Sequence, residues 1–253
     1  MPQTANTVHL QPKTLETFAA YIRDAEAAME PTVEGSGPFL WSEGTPERAQ
    51  RVRAGQVMAQ FWSGRRPVKV PSGLIHDWIG AAFIPAVNLE KTLALIQDYD
   101  RHQDIYRPEV IASKLISHRG DDFQIYMRLL KKKIITVVLD TDHDVHYRSL
   151  DPSRSLCRSY TTRIAEVEDA GTPKEKVLPP DTGYGFLWRL YSYWRFQEQE
   201  GQEGGVSVEC RAISLTRDVP LGLGWMIEPI IQKLPKESLI HTLEATRRAL
   251  KQR

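Results

Sequence analysis

The stretch that decides the fold is "IITVVLDTDHDVHYRSL", residues 134–150. Successive side chains of a β-strand point to opposite faces, so this stretch divides into an even-numbered and an odd-numbered row. The even row holds Asp140, Asp142, Asp144 and His146, and the odd row holds Val137, Leu139, Thr141, His143, Val145 and Tyr147. Because the odd row is the more apolar one, we expect it to face the core and the acidic row to be exposed or to meet a covering segment.

The acidic row raises the question of a metal site. Side chains on one face of a strand stand about 6.8 Å apart, so the four of them span too much to surround one ion. Asp144 and His146 form the best pair, and the sequence supplies no second cluster that would complete a ligand set. We therefore expect no metal and no cofactor. His143 points the other way, where it is either a core histidine or a polar anchor for a ligand.

Further strands are predicted on both sides of this stretch. Runs rich in β-branched and aromatic residues lie at 74–84, 110–118, 122–130, 154–167, 185–199 and 205–215. Turn signals such as "HRGDD", "DPS" and "EGQEGG" separate most of them. Strands joined by short turns are antiparallel neighbours. Together with 134–150, the sequence predicts a seven-stranded antiparallel sheet, with helical periodicity after Asn88.

The closing stretch "SLIHTLEATRRAL", residues 238–250, is predicted to be a helix. Leu239, Leu243, Thr246 and Leu250 recur at helical spacing and form one stripe. A sheet with one apolar face must bury that face against another layer, and the terminal helix is the long element left for this role. The predicted fold class is therefore α+β, with the sheet wrapped on the C-terminal helix and a cavity between them.

Residues 1–72 are predicted to be an N-terminal helical extension and linker, and residues 73–253 the main domain. Leu15, Phe18 and Ile22 give 14–29 the spacing of an amphipathic helix, which we expect to end between Pro31 and Gly37. A second helix is predicted over 44–62. Two short helices bury too little apolar surface to fold alone, so we expect the extension to pack on the main domain.

The overall composition excludes several classes of protein. With 33 basic and 32 acidic residues the formal net charge is +1, which does not favour nucleic acid as a partner. Cys157 and Cys210 lie on strands that we expect to be separated by a third strand, so no disulfide is predicted. The sequence contains no apolar run long enough for a membrane span and no visible secretory leader. We expect a soluble protein, cytoplasmic or exported with its leader removed; the oligomeric state is left open.

The order of elements resembles that of the START-like, polyketide cyclase and Bet v 1-type helix-grip superfamily. Two stretches carry the resemblance: "TLALIQDYDRHQDIYRPEVIASKLI", residues 92–116, and the closing helix at 238–250. It covers roughly residues 73–250 and does not extend to the N-terminal extension. It implies an apolar pocket between the sheet and the last helix that holds lipids, sterols, polyketides, quinones or hormones. Only some members of this superfamily are enzymes.

Candidate ligand-binding residues follow from the same parity argument. In "FLWRLYSYWRF", residues 186–196, the row Trp188, Leu190, Ser192, Trp194 and Phe196 makes an apolar wall with one hydroxyl. Plain core packing explains each of these residues equally well. The opposite row alternates arginine and tyrosine and could stack single-stranded nucleic acid, which the balanced charge argues against. The predicted ligand-binding set is Leu139, His143, Tyr147, Trp188, Trp194, Phe196 and Trp225, the last on the lid side.

Three functional hypotheses remain at this point. The first is a binding module that holds a hydrophobic small molecule, such as a lipid, quinone or polyketide, between sheet and helix. The second is a cyclase- or dehydratase-like enzyme on the same fold that uses His143 with a carboxylate or with Tyr147. The third is an interaction protein in which residues 1–70 dock a partner or plug the cavity.

Overall fold

The computed structural model describes residues 7–62, 64, 66–132, 136–199, 201, 204–218 and 224–252, the last range with side chains from 233 onward. The helices are α1 (Pro12–Val33), α2 (Pro46–Arg53), α3 (Leu89–Ile96), α4 (His102–Ile105) and α5 (Gly224–Lys251). The strands are β1 (Val8–His9), β2 (Met58–Phe61), β3 (Val68–Val70), β4 (Gly73–Pro85), β5 (Val110–Arg119), β6 (Asp122–Lys132), β7 (Thr136–Asp151), β8 (Arg154–Glu168), β9 (Lys176–Val177), β10 (Thr182–Gly183), β11 (Arg189–Gln199) and β12 (Gly205–Arg217).

One antiparallel sheet dominates the molecule. Its strand order is β2-β4-β12-β11-β8-β7-β6-β5, with β3 also on β4 and β9 also on β8. The seven long strands are those predicted from the sequence, but the predicted number of strands is wrong, because the sheet has ten within the described residues. Short segments at 58–61, 68–70 and 176–177 pair with the free edges or ends of long strands, and segments this short carry no readable period.

Helix α5 lies across one face of the sheet, which gives the helix-grip fold. It packs most closely on β4, where a Cβ added to Gly80 would lie 2.9 Å from Leu243 Cδ1 and 3.0 Å from Leu239 Cγ. Leu239, Leu243 and Leu250 join a large buried cluster with residues of β4, β7, β11 and β12. The predicted C-terminal helix and its stripe are confirmed. We call the face of the sheet toward α5 the inner face.

The predicted register of β7 is confirmed for its odd-numbered row. Leu139, Thr141, His143, Val145 and Tyr147 are buried, Val137 is half-buried, and Asp144 and His146 are exposed. Exposure of the whole acidic row fails at Asp140, which is 6% exposed and takes the other predicted alternative, contact with a covering segment. Asp140 accepts two hydrogen bonds from Arg128, and Arg128 also binds Glu175 of the segment that covers it.

Helix α1 packs on the opposite face of the sheet, which we call the outer face. Phe18, Ile22 and Ala25 are buried there against Ile75 of β4 and Ile213 of β12. The helix runs to Val33 and contains Pro31. The predicted helix over 44–62 is wrong in its second half, since α2 ends before Gly55 (φ +89°) and the chain then adds β2 to the edge of β4. The domain boundary at 72/73 stays a prediction.

Candidate ligand-binding site

The inner face is incompletely covered in the middle of the sheet. The residues left half-buried are Met127 of β6, Leu190, Ser192 and Trp194 of β11, and Ala212 of β12. Each of these strands pairs with a neighbour on both sides, so these residues are not at an edge of the sheet. A partly open side chain on the inner face of a central strand means that the described side chains of α5, those from 233 onward, leave space over it. We call this part of the inner face the open half.

The opposite part of the inner face, which we call the closed half, is fully packed. Phe196 of β11, Val206 and Val208 of β12 and Ile84 of β4 are at most 1% exposed. They belong to the cluster that includes Leu243 and Leu250 of α5. Tyr147 lies in the same cluster, where its hydroxyl meets that of Tyr99 at 2.8 Å and its ring contacts Phe123 edge-on. Burial raises the pKa of Tyr147 well above its ordinary value.

A row of polar residues crosses the inner face from β4 to β7. His76 pairs with Ser214, which pairs with Leu190, and Thr161 pairs with His143. The row is continuous because the backbone N–H of Leu190 donates to Thr161 Oγ1 at 3.0 Å. This row adds hydrogen-bonding groups to the largely apolar inner face.

His143 is a neutral, hydrogen-bonded member of that row. Thr141 Oγ1 donates to the Met127 carbonyl, so it accepts from His143 Nε2, and Ser159 Oγ then donates to His143 Nδ1. Burial, and then the nearby His102, lower the pKa of His143 to about 4. Both ring nitrogens are therefore occupied by hydroxyl groups, and a ligand would have to displace Ser159 to reach this imidazole.

His76, by contrast, has one nitrogen without a partner. Thr216 Oγ1 donates to the Arg217 carbonyl, so it accepts from His76 Nε2 at 3.1 Å. The proton is thus on Nε2, and Nδ1 is a buried acceptor with no bond in the structure as described. Two residues along the same face, the indole N–H of Trp78 is a buried donor that is equally unpartnered. Burial lowers the pKa of His76 to about 4.

Sequence reasoning missed His76 and Trp78. Their strand was predicted, but β4 is buried on both faces for nearly its whole length. A strand without an exposed row has no alternation that would tell its inner residues from its outer ones. The only available signal was the polar pair His76 and Asp77 within an otherwise apolar run.

The structure brings most of the predicted ligand-binding residues to the inner face. Trp194 lies at the open half, Phe196 and Tyr147 are buried in the closed half, and His143 and Leu139 share the inner side of β7. Trp188 does not join them. It packs under α1 on the outer face with Ile75 and Tyr193, so the prediction that it shares a face with Trp194 is wrong.

Trp188 lies before β11 begins at Arg189, which is why strand parity does not apply to it. Trp225 lies in α5, but its side chain is outside the described residues. Cys157 and Cys210 are free and buried, and both pair with Trp194 of the intervening β11, as predicted. In the part of the chain that the structure describes, no three His, Cys, Asp or Glu side chains gather as metal ligands.

A cleft of about 420 Å³ lies at the end of β7 and β8, next to Leu139. Glu166, the strand partner of Leu139, is 5% exposed and accepts hydrogen bonds from the backbone N–H groups of Tyr184 and Phe186. Gly183 (φ +137°) has no room for a Cβ, which would lie 2.6 Å from Glu166 Oε2. Burial raises the pKa of Glu166 against the lowering effect of these hydrogen bonds. The buried carboxylate thus fixes the loop that borders this end of the inner face.

No family model and no curated protein matches the chain. Among solved structures, it is similar to a STAR-related lipid transfer protein from Xanthomonas axonopodis, with 16% identity, a TM-score of 0.47, and 73% of this chain and 96% of that chain covered. It is also similar to the Zhui aromatase/cyclase from Streptomyces sp. R1128, with 9% identity, a TM-score of 0.47, and 71% and 95% covered. A START superfamily protein from Mycobacterium smegmatis has 12% identity, a TM-score of 0.42, and 69% and 97% covered.

The fold assignment itself rests on the strand order and on the position of α5, which are those of a helix-grip protein. Of the helices in the described ranges, none has the length and apolar character to cross a bilayer.

Proposed function

We propose that the protein binds a hydrophobic small molecule of the lipid, quinone or polyketide type in the space between the open half of the inner face and α5. The observation that carries this proposal is the half-buried state of Trp194, Ser192 and Ala212 on the inner face of two central strands. A close-packed interior leaves no such residues partly open. The lining is apolar and aromatic with few polar groups, which is typical of small-molecule pockets.

The polar row supplies the means to orient such a ligand. His76 Nδ1 is an acceptor and Trp78 Nε1 a donor, and both are buried without a partner. Buried polar atoms are normally hydrogen-bonded, and each one left without a partner costs free energy. A ligand hydroxyl or carbonyl at this end of the inner face would relieve that cost. The ligand is therefore expected to carry at least one hydrogen-bonding group on an apolar body.

Binding is favoured over the two alternative functions. A cyclase- or dehydratase-like mechanism would pair His143 with a carboxylate or Tyr147, whereas its hydrogen-bond partners are the hydroxyls of Thr141 and Ser159. An extension that plugs the cavity would lie on the inner face, whereas α1 lies on the outer face. From the extension, β2 reaches the inner side at the sheet edge, where the ring of Phe61 packs on that of Trp78 with 3.9 Å between centroids and a tilt of 32°.

The experiment that tests the proposal combines a ligand panel with a pair of space-filling variants. Fatty acids, sterols, quinones and aromatic polyketides are titrated while tryptophan emission and melting temperature are followed. A ligand at a hundredfold excess over its Kd should stabilise the protein by about 2.7 kcal/mol. Ala212→Leu places a larger side chain in the open half and should weaken binding at least tenfold.

Ala249→Leu is the matched control, because Ala249 is also half-buried and packs on the same cluster, in the last turns of α5. This variant should bind like the wild type. If no compound of the panel changes emission or melting temperature, or if both variants bind as well as the wild type, the proposed site is wrong.

A further inference from the structure

A separate cavity lies outside the space between the sheet and α5, at the C-terminal end of that helix. It is an open cleft of about 910 Å³, which is within the range of small-molecule sites. Its walls come from the loop after α2, the turn after β4, the end of the β11–β12 hairpin and the last turns of α5. The residues that matter here are Arg53, Arg247, Lys251, Glu198, Phe83 and Val87. We call this cavity the cationic cleft.

Three of the charged side chains that line the cleft are cations and one is an anion, so the described lining carries a formal charge of +2 (3 − 1). The one carboxylate, Glu198, accepts the backbone N–H of Leu89 at the start of α3, so its charge is already engaged. The hairpin sequence also contains Glu200 and Glu203, which are outside the described residues.

The cations are only lightly engaged by the protein itself. Lys251 is exposed and has no partner within the described ranges. Arg53 lies 3.8 Å from Glu43 with its side chain 60% exposed, and an exposed pair at that distance contributes little. Arg247 donates one bond, at 2.7 Å, to the Gly55 carbonyl, which fixes the guanidinium at the cleft wall. Its remaining N–H groups suit the fork-shaped recognition of a carboxylate or phosphate.

The helix dipole alone explains some, but not all, of this arrangement. Basic residues are favourable in the last turn of any helix, and Arg248 beside Arg247 is such a residue, paired with Glu244. Arg53 and Lys251 also lie in the last turns of their helices, but those helices are different, α2 and α5, and the dipoles do not explain why both side chains line one cleft with Arg247. The floor between them is apolar, with Phe83 buried beneath and Val87 half-buried at the side.

We propose that the cationic cleft binds an amphiphilic anion, with a carboxylate or phosphate held by Arg53, Arg247 and Lys251 and an apolar chain laid on the floor at Phe83 and Val87. This site is distinct from the inner face, so it does not depend on the function proposed above. The anion could come from a free lipid or from the headgroup of a lipid in a membrane, and the experiment separates these sources.

The test uses the full chain and two double variants that remove the same charge. Arg53→Gln with Lys251→Gln removes two cleft cations and leaves Arg247 and its bond to Gly55 in place. Arg51→Gln with Arg248→Gln removes one cation each from the same two helices, α2 and α5, outside the cleft. Binding of monomeric dodecyl phosphate is measured by calorimetry, and the amide signals of Gly55 and Gly205 by NMR.

Dodecyl phosphate is expected to bind the wild type and the Arg51/Arg248 variant alike, to shift both glycine amides, and to bind the Arg53/Lys251 variant at least tenfold more weakly. Inorganic phosphate should bind at least tenfold more weakly than dodecyl phosphate, because it lacks the apolar chain. Equal affinity for the two, or equal loss in both variants, overturns the proposal.

Vesicles of zwitterionic lipid with and without anionic lipid decide the source of the anion. If the free amphiphile binds and the natural anion is a membrane headgroup, anionic vesicles should displace the amphiphile by binding through Arg53 and Lys251. If the natural anion is a free lipid, the amphiphile should stay bound when the vesicles are added. Binding to anionic vesicles without any binding of the free amphiphile overturns the cleft as a site. None of these results involves Ala212, so failure here and failure of the inner-face site are distinguishable.

Discussion

The two faces of the central sheet treat buried polar groups in opposite ways. On the outer face, charged side chains are buried and paired within the chain, as in the bidentate bond between Arg211 and Asp77. On the inner face, the buried polar groups are mainly neutral, and His76 and Trp78 each leave an atom without a partner. On the outer face the charged groups are thus paired by folding, although Arg211 Nη1 and Gln197 Oε1 have no hydrogen-bond partner in the structure as described. On the inner face the atoms without a partner belong to neutral groups, and Trp78 pairs with the half-buried Ala212, which suits a site for a neutral polar group of a ligand.

The pairing on the outer face makes α1 part of the fold. Glu26 accepts the hydroxyls of Tyr160 at 2.5 Å and Tyr193 at 2.8 Å, and Glu30 pairs with Arg158 at 2.5 Å. Beyond α1, Glu209 accepts the backbone N–H groups at 41 and 42. The alternating arginine and tyrosine row of β11 is thus largely covered by the chain's own N-terminal segment.

The largest expected effect is a loss of folding stability in acid, caused by three buried histidines. Burial lowers the pKa of His76, His102 and His143 to about 4, against 6.5 for an ordinary histidine. Below pH 6.5 these histidines take up protons in the unfolded chain but not in the folded protein. The contribution of the neutral histidines to stability is therefore complete above pH 6.5 and is lost as the pH falls toward 4. The loss at pH 5 is about 2 kcal/mol for each histidine and about 6 kcal/mol for the three.

Urea unfolding between pH 7.5 and pH 5 measures this loss. Burial raises the pKa values of Glu166 and Glu209, which gain stability as the pH falls and oppose the trend. His143→Gln isolates the histidine contribution, because it keeps a hydrogen-bonding group that cannot take up a proton. Its free energy of unfolding should fall by about 2 kcal/mol less than that of the wild type over this range. An equal fall in both proteins would contradict the neutral inner face.

The next effect concerns the charged outer face. Arg211→Met removes the guanidinium that pairs with the buried Asp77 carboxylate. The hydroxyl of Tyr21 is then the described hydrogen-bond partner that this carboxylate keeps. An uncompensated buried charge costs about 3–5 kcal/mol, which urea unfolding at pH 7 should show. The double variant Asp77→Leu with Arg211→Met should recover most of that loss, since both charges are then gone. A single variant that loses under about 1 kcal/mol would falsify the view that outer-face charges depend on pairing.

The smallest effect distinguishes an unpartnered polar atom from a partnered one. Trp78→Phe removes an indole N–H that makes no bond, so the loss of apolar contact is offset by the removed cost of about 1–3 kcal/mol for an unsatisfied buried donor. We expect the melting temperature of the variant without ligand to stay near that of the wild type. A ligand identified in the panel should bind the variant less tightly. A large loss of stability together with unchanged affinity would show that Trp78 is ordinary core.

The site was less predictable than the strands, and particular residues show why. The face of Trp194 followed from parity because it lies well inside β11, whereas Trp188 lies one residue before the strand and packs on the other side. Asp140 followed the predicted face of β7 but not the predicted exposure, because Arg128 and Glu175 cover it from other segments. Parity assigns a direction, and it does not say what lies in that direction.

The sequence by itself determined the seven long strands, their antiparallel order along the chain, the closing helix and the buried row of β7. These features depend on local periods of two or 3.6 residues and on turns, which the residues carry wherever they lie in space. The tertiary structure alone decided that α1 covers the outer face, that His76 and His143 lie in one row, and that Arg53 meets Lys251 at one cleft. Those relations join residues tens to hundreds of positions apart, and only the packing of whole elements brings such residues together.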